Sequence, residues 1–221
     1  MPAAYWAGAP VWSADASVLA YSIAADSPPN IVIRRGGGTG DEQRITKSAD
    51  IQYPASFTPD TRTIVFRSFS SDTGWDLFTV PVSGDAPPQR LPQTAANDNE
   101  PSLSPDGRLL AYSSDESGRR EVYVSRFPEM SGRIAISSGG GGRPMWRRDG
   151  RELYFLAPDN RVMAVTMTPS GASAPILLFQ SALFSSLYAP APDGSRFLIA
   201  TPVPSTDVVP MELVLNPLSP R

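Results

Sequence analysis

The feature that most constrains this chain is a short pattern that occurs five times along it. In each copy an Asp lies in a turn just before an apolar run. The copies are PVWSADASVLAYS at Asp15, SFTPDTRTIVFRS at Asp60, PSLSPDGRLLAYS at Asp106, PMWRRDGRELYFL at Asp149 and APAPDGSRFLIA at Asp193. The spacings between these Asp residues are 45, 46, 43 and 44 residues. A repeat of this length is typical of β units that stack or are arranged radially.

Each copy resolves into four short segments, A to D, with the composition of β-strands. Strand A leads into the turn. Strand B is expected at 19–21, 64–66, 109–112, 153–155 and 197–199, strand C at 31–33, 77–80, 122–124, 162–165 and 213–215, and the more polar strand D at 43–45, 89–91, 133–136 and 176–178. No stretch has helical periodicity, and 24 Pro and 17 Gly residues punctuate the chain. The sequence therefore predicts an all-β protein.

Strands B and C are nearly continuous apolar runs, whereas a sheet with one solvated face would alternate. They predict sheets buried on both faces, as in a β-propeller whose blades pack against their neighbours. We expect one β-propeller domain over residues 1–221, made of five four-stranded blades at about 6–48, 49–94, 95–138, 139–181 and 182–221. The last blade ends with its strand C, so residues 2–5 at the N-terminus are expected to close it.

The repeat resembles that of the TolB-like β-propeller family, also called PD40 or WD40-like, whose pattern is roughly P-x-W-S-P-D-G before an apolar strand. Residues 101–112 and 122–124 match it closely. Residues 144–165 and the ending that begins YAPAPDGSRFLIA look like blades in the C-terminal propellers of bacterial, especially acidobacterial, serine/threonine protein kinases. The resemblance implies a sensor, scaffold or partner-binding module. Prolyl-oligopeptidase-type peptidases carry similar repeats, but this chain has no G-x-S-x-G motif and no His.

Composition excludes several classes of function. The absence of Cys and His excludes disulfides, zinc sites with nitrogen or sulfur ligands, and Ser-His-Asp triads. A net charge of −3 with scattered arginine pairs predicts no nucleic-acid partner. No apolar run approaches the roughly 18 residues that span a bilayer, so membrane insertion is not expected. No signal peptide is visible, so the chain as given is expected in the cytoplasm, or outside it if it is part of an exported or membrane-anchored parent.

The repeated Asp is best explained by the turn that it occupies. In Ser-Pro-Asp-Gly, Pro presets φ, Asp accepts hydrogen bonds from nearby backbone N–H groups, and Gly adopts a positive φ. A device present in every copy is expected to serve folding. In two copies the residue after the Asp is Ala16 or Thr61. If that position is left-handed, each of them costs about 1 kcal/mol.

In propellers of this family, the loops between blades and the B–C loops gather on one face around the central channel. Residues on that face differ from blade to blade, which makes them better candidates for function than the repeated turn. The predicted ligand-binding residues are Trp6, Tyr53, Arg67, Trp75, Asp115, Glu116, Arg143 and Tyr188. The first hypothesis is a binding, sensor or scaffold module for a protein, a peptide or a polar ligand such as a glycan. It is expected to act as a monomer or as an oligomer that closes the ring.

The second hypothesis is a glycoside hydrolase on the same face. Such enzymes need two carboxyl groups, one kept protonated as the acid and the other acting as nucleophile or base. Asp98, Glu100 and Asp50 are the predicted catalytic residues, because neighbouring inter-blade loops carry them. Neither hypothesis requires a cofactor, and no EF-hand spacing supports a metal site at 97–100.

Overall fold

The computed structural model describes residues 6–24, 28–92, 95–169, 171–180 and 188–199. The strands are β1 (Trp6–Trp12), β2 (Val18–Ala24), β3 (Asn30–Arg35), β4 (Glu42–Arg44), β5 (Ile51–Phe57), β6 (Thr63–Ser70), β7 (Gly74–Pro81), β8 (Gln89–Arg90), β9 (Asp98–Leu103), β10 (Leu109–Ser114), β11 (Glu121–Arg126), β12 (Ile134–Ala135), β13 (Gly142–Trp146), β14 (Glu152–Ala157), β15 (Arg161–Thr168), β16 (Gly171–Ala172), β17 (Ile176–Gln180), β18 (Tyr188–Pro190) and β19 (Phe197–Ile199). One turn of 3₁₀ helix lies at Pro158–Asn160. No helix in the described ranges is long and apolar enough to cross a membrane.

Successive strands pair antiparallel within separate sheets, which confirms the all-β prediction. Three sheets have the orders β1-β2-β3-β4, β5-β6-β7-β8 and β9-β10-β11-β12. In the fourth sheet β13, β14 and β15 follow one another, and β16 and β17 both pair with β15. Strands β18 and β19 form a two-stranded sheet. The predicted strand C at 213–215 and the closing residues 2–5 lie outside the described residues, so five blades stay a prediction.

Each sheet packs against its neighbours through alternate side chains of its central strands. On β6, Ile64 and Phe66 join a core with the first sheet, whereas Val65 between them joins a core with the third. On β10, Leu110 likewise packs toward the second sheet and Ala111 toward the fourth. Both faces of a central strand are thus buried, which confirms the interpretation of the apolar runs.

The first strand of each sheet lies on the inside of this arrangement. We call β1, β5, β9, β13 and β18 the inner strands. Strand β5 contacts β1 and β9, and β9 also contacts β13. Residues of all five inner strands line one cavity. The order of the sheets thus brings side chains that are distant in sequence to a common axis.

The turns between the first two strands of each sheet have the predicted structure. Oδ1 of Asp106 accepts hydrogen bonds from the Ser104 hydroxyl at 2.6 Å and from the Arg108 N–H at 3.1 Å. The Ser104 hydroxyl in turn accepts a bond from the Leu109 N–H at 2.9 Å. The residue after the Asp has a left-handed backbone conformation even where it is not Gly. Its φ is 55° at Ala16 and 60° at Thr61.

Each inner strand of the four larger sheets contains a register shift. On β1, β9 and β13 a non-Gly residue with positive φ lies there, namely Ala9 (51°), Glu100 (54°) and Arg143 (51°). A proline follows each of the three. A β-bulge changes the direction in which a side chain points. These bulges therefore aim Glu100 and Arg143 away from the direction that strand alternation alone would give.

Candidate functional site

The inner strands surround a cavity of about 270 Å³. Its lining combines aromatic, basic and acidic side chains, namely Tyr53, Arg67, Glu100, Arg143 and Tyr188. All five are residues that the sequence analysis proposed for a channel face. We call this cavity, together with Trp75 and Arg120, whose side chains contact its lining residues Arg67 and Glu100, the channel mouth.

An arginine that packs against a stacked pair of aromatic rings forms one side of the channel mouth. The Arg67 guanidinium lies 4.7 Å from the ring centroid of Trp75 and 5.2 Å from that of Tyr53. The two rings stack on each other, with centroids 5.9 Å apart and planes inclined by 29°. Cation–π contacts of this kind hold a guanidinium in one orientation. Burial lowers the pKa of Arg67, and the nearby charge of Glu100 opposes this shift.

A second group of charges surrounds Glu100. One oxygen of Glu100, Oε1, is 3.6 Å from Arg143 Nε and 3.6 Å from Arg120 Nη1. The other, Oε2, accepts hydrogen bonds from the Ser113 hydroxyl at 3.0 Å and from the Arg143 N–H at 2.8 Å. Glu100 is thus fully engaged by protein groups. Its positive φ and these contacts together fix the carboxylate against the wall of the cavity.

Tyr188 completes the wall from the last described sheet. Its hydroxyl donates a hydrogen bond of 2.7 Å to the backbone carbonyl of Arg143. Burial raises the pKa of this phenol, and the charge of Glu100 adds to the effect. Tyr188 is therefore a neutral donor that fixes the bulge at Arg143.

Asp98 lies in a different environment from Glu100, although only Asn99 separates them along the chain. Asp98 is 3% exposed, pairs with Ser114 across the sheet, and its Oδ1 has no hydrogen-bond partner among the described residues. Burial raises its pKa to about 6. Ser113, which contacts Glu100, and Ser114 point to opposite faces of the sheet. The two carboxyl groups are thus held on opposite faces.

The other predicted site residues are placed as follows. Asp115 accepts hydrogen bonds of 2.9 Å from both the backbone and the side chain of Asn97. Glu116 forms an ion pair with Arg133. Asp50 is half-buried just before β5. Trp6 begins β1, and its side chain lies outside the described part of the structure. Their roles as catalytic or binding residues stay predictions.

The structure also shows polar residues that sequence reasoning missed. Asn30, Asp76 and Glu121 each lie at or near the start of the third strand of a sheet and hold the adjoining loops. Asn30 accepts a hydrogen bond from the Ser48 N–H at 2.7 Å, and Glu121 accepts one from the Gly140 N–H at 2.9 Å. These three residues are spaced about 45 residues apart along the chain, and this repeat could have identified them from the sequence.

Four depressions elsewhere in the described residues have larger volumes, and the two largest of these have about 600 and 620 Å³. One lies beside Arg44 and Lys47, and the other lies between β11 and the β15–β16 turn. Neither is lined by a predicted site residue. Within the described ranges, no group of three or more Asp and Glu residues is arranged to hold a metal ion.

Comparison with known proteins gives a family match over most of the chain. The family described as the TolB beta propeller domain matches residues 9–208. A search of curated proteins finds no match.

Solved structures show the same fold. TolB from Acinetobacter baumannii is 20% identical with a TM-score of 0.68 over 86% of this chain and 47% of its own, and a putative TolB from Agrobacterium tumefaciens is 20% identical with a TM-score of 0.65 over 76% and 63%. An oligogalacturonate lyase in complex with manganese is 16% identical with a TM-score of 0.69 over 90% of this chain and 63% of its own. The chain thus spans about half to two thirds of the length of these proteins.

Proposed function

Because this chain belongs to the TolB β-propeller family, we propose that it is a binding module whose channel mouth holds a segment of a protein partner. Propeller domains with this fold occur in proteins of different activities, so the fold alone does not select a function. The proposal depends on the residues at the channel mouth.

The observation that carries the proposal is the aromatic and arginine wall. Tyr53, Trp75 and Arg67 belong to three neighbouring strands and stack on one another beside the cavity. Phe69, which is 37% exposed, extends this surface, with its ring centroid 5.2 Å from that of Trp75. Tyrosine, tryptophan and arginine are the residue types that dominate binding energy at protein interfaces.

The size of the cavity is compatible with side chains of a protein segment. Sites that enclose a small molecule have volumes of roughly 300–1,000 Å³, whereas this cavity has about 270 Å³. It has room for one or two side chains of a partner, with the aromatic residues contacting the flanking backbone.

Selection from a displayed library of random peptides tests the proposal. Peptides enriched on the wild-type protein are expected to bind Trp75→Ala at least about tenfold more weakly, because the variant removes a central aromatic contact. Trp12→Ala is the matched control, since Trp12 is 47% exposed and lies at the other end of its strand. Binding to the control is expected to match the wild type. Failure to enrich any peptide, or equal binding to Trp75→Ala, would contradict the proposal.

A glycoside hydrolase in which Asp98 acts with a carboxyl group other than Glu100 is the second candidate, and one observation favours it. Burial raises the pKa of Asp98 to about 6, and a carboxyl group that holds its proton to a higher pH than usual is what the acid role requires. A screen on chromogenic glycosides tests this candidate. Turnover that Asp98→Asn abolishes would support it, whereas no turnover, or turnover that survives the substitution, would exclude Asp98 as the acid.

A further inference from the structure

We propose that Arg67 is a carboxylate-recognition residue, and that the partner segment places an Asp or Glu side chain against it. This inference rests on the proposed binding function and specifies the chemistry of the bound segment. It is carried by the guanidinium's place in the cavity, its neutral hydrogen-bond partner, and its aromatic neighbours.

Arg67 differs from the other arginines of the channel mouth in its partners. Arg143 and Arg120 share the carboxylate of Glu100. Arg67 Nη1 instead donates to Asn99 Oδ1, a neutral acceptor, at 2.5 Å. Among the described residues no carboxylate lies within ion-pairing distance of Arg67. A half-buried cation thus lines a cavity without a counter-charge in contact.

The surroundings of Arg67 keep it available to a ligand. A guanidinium has five N–H donors in a planar fork, and one of them donates to Asn99. The rings of Tyr53 and Trp75 fix the orientation of the guanidinium. Glu100, the nearest acidic side chain of the cavity wall, is held by Arg143 and Ser113. The remaining donors of Arg67 therefore match an external planar anion.

The same surroundings favour a single carboxylate over a phosphate group. Arg67, Arg143 and Glu100 are the charged residues that line the cavity, so their charges sum to one positive charge, which a monoanion neutralises and a dianion exceeds. A carboxylate is also planar, so it forms two parallel bonds with the guanidinium fork. A side chain that carries it fits the volume of about 270 Å³. Backbone on either side of this side chain would then contact Trp75 and Phe69.

The test uses a peptide enriched on the wild-type protein and changes one charge on each side. In the peptide, each Asp or Glu is replaced in turn by Asn or Gln. In the protein, Arg67→Gln removes the charge and Arg67→Lys keeps the charge but removes the fork. Arg62→Gln is the matched control, since the Arg62 side chain is 86% exposed and lies at the opposite, turn end of β6.

One of the peptide substitutions is expected to weaken binding about 30-fold, and Arg67→Gln is expected to do the same. Each change removes one partner of a charge-assisted bidentate pair. The combined change should cost little more than either alone, Arg67→Lys should be intermediate, and Arg62→Gln should bind as the wild type does. The peptide substitutions are measured on unmodified protein, so they decide the question even if Arg67→Gln fails to fold.

Three outcomes would overturn this inference. If peptides bind and depend on Trp75 but not on any acidic residue or on Arg67, the proposed function stands and the carboxylate assignment is wrong. If phosphopeptides or oligogalacturonides bind more tightly than acidic peptides and depend on Arg67, the anion comes from a different class of ligand. If no peptide depends on Trp75, both the proposed function and the inference that rests on it fail.

Discussion

The two ends of the inner strands differ in whether the same residue recurs from one sheet to the next. At the turn end, all five copies place an Asp whose carboxylate accepts a backbone N–H bond two residues later. At the channel mouth, the residue before the proline of each inner strand changes from copy to copy, as Ala9, Tyr53, Glu100, Arg143 and Ala189. Residues that every unit needs serve folding, whereas residues that vary on a shared framework are free to serve binding.

The carboxyl groups of the two ends also have opposite electrostatic environments. At the turn end, the Ser13 hydroxyl and the Ser17 N–H lower the pKa of Asp15 to about 2, and Arg147 lowers that of Asp149 to about 2. At the other end of β9, burial raises the pKa of Asp98 to about 6. The turns therefore stabilise the charged carboxylate, whereas the site beside the channel mouth destabilises it.

The largest expected effect comes from the turn end. Ser104→Ala removes the acceptor of the Leu109 N–H and the donor to Asp106 at a site where Ser104 is 4% exposed. We expect a loss of about 2 kcal/mol in the free energy of unfolding, measured by urea denaturation. Ser117→Ala is the control, since the exposed Ser117 hydroxyl bonds to Arg119 O at 3.2 Å, and should change stability by less than about 0.5 kcal/mol. If the two variants lose equal amounts of unfolding free energy, the turn does not have the structural role proposed for it.

A smaller effect of opposite sign, a gain in stability, is expected for Asp98→Asn. In the unfolded chain the pKa of Asp98 is near 3.9, so between about pH 4 and pH 6 the folded state holds more protons and stability falls as pH rises. Asp98→Asn should remove this slope and raise the free energy of unfolding at pH 7.5 by about 1–2 kcal/mol. Urea denaturation between pH 4 and 8 measures it.

Asp149→Asn is expected to change the pH dependence of stability in the opposite direction. The folded-state pKa of Asp149 is depressed to about 2, so its carboxylate contributes stability above about pH 4 that is lost as pH falls toward 2. This variant should be less stable than the wild type at pH 7, and the difference should shrink on acidification. If the two Asp variants show slopes of the same sign, the electrostatic contrast between the two ends is wrong.

The smallest effect concerns the left-handed turn positions. Thr61 has a φ of 60°, a conformation that a β-branched side chain rarely adopts. Thr61→Gly is expected to raise the free energy of unfolding by about 0.5–1 kcal/mol. Gly150→Ala should lower it by about 1 kcal/mol, because the added Cβ lies 3.7 Å from Pro105 Cδ and backbone strain is then the main change. Melting temperatures that move in the same direction for both variants would contradict the shared turn geometry.

The sequence predicted the repeated features well, because each is encoded locally. The apolar runs at 64–66 and 109–112 are strands buried on both faces, and Asp106 belongs to its turn. The channel mouth was predicted in outline, since Tyr53, Arg67, Glu100, Arg143 and Tyr188 line one cavity.

The parts that the sequence did not reveal depend on bulges and on burial. A bulge shifts strand alternation by one residue, so the opposite directions of Asp98 and Glu100 do not follow from their spacing. The contacts of Asp115 with Asn97 join loops that are 18 residues apart. Single-sequence periodicity contains no information on such pairings.

Hydrogen–deuterium exchange with and without an enriched peptide tests the central division between the two ends most directly. We expect slower exchange at 51–53, 66–69, 97–100 and 142–143 when the peptide is bound, with exchange unchanged at the turns 13–17, 58–62 and 104–108. Protection confined to the turns, with no change at the channel mouth, would contradict it.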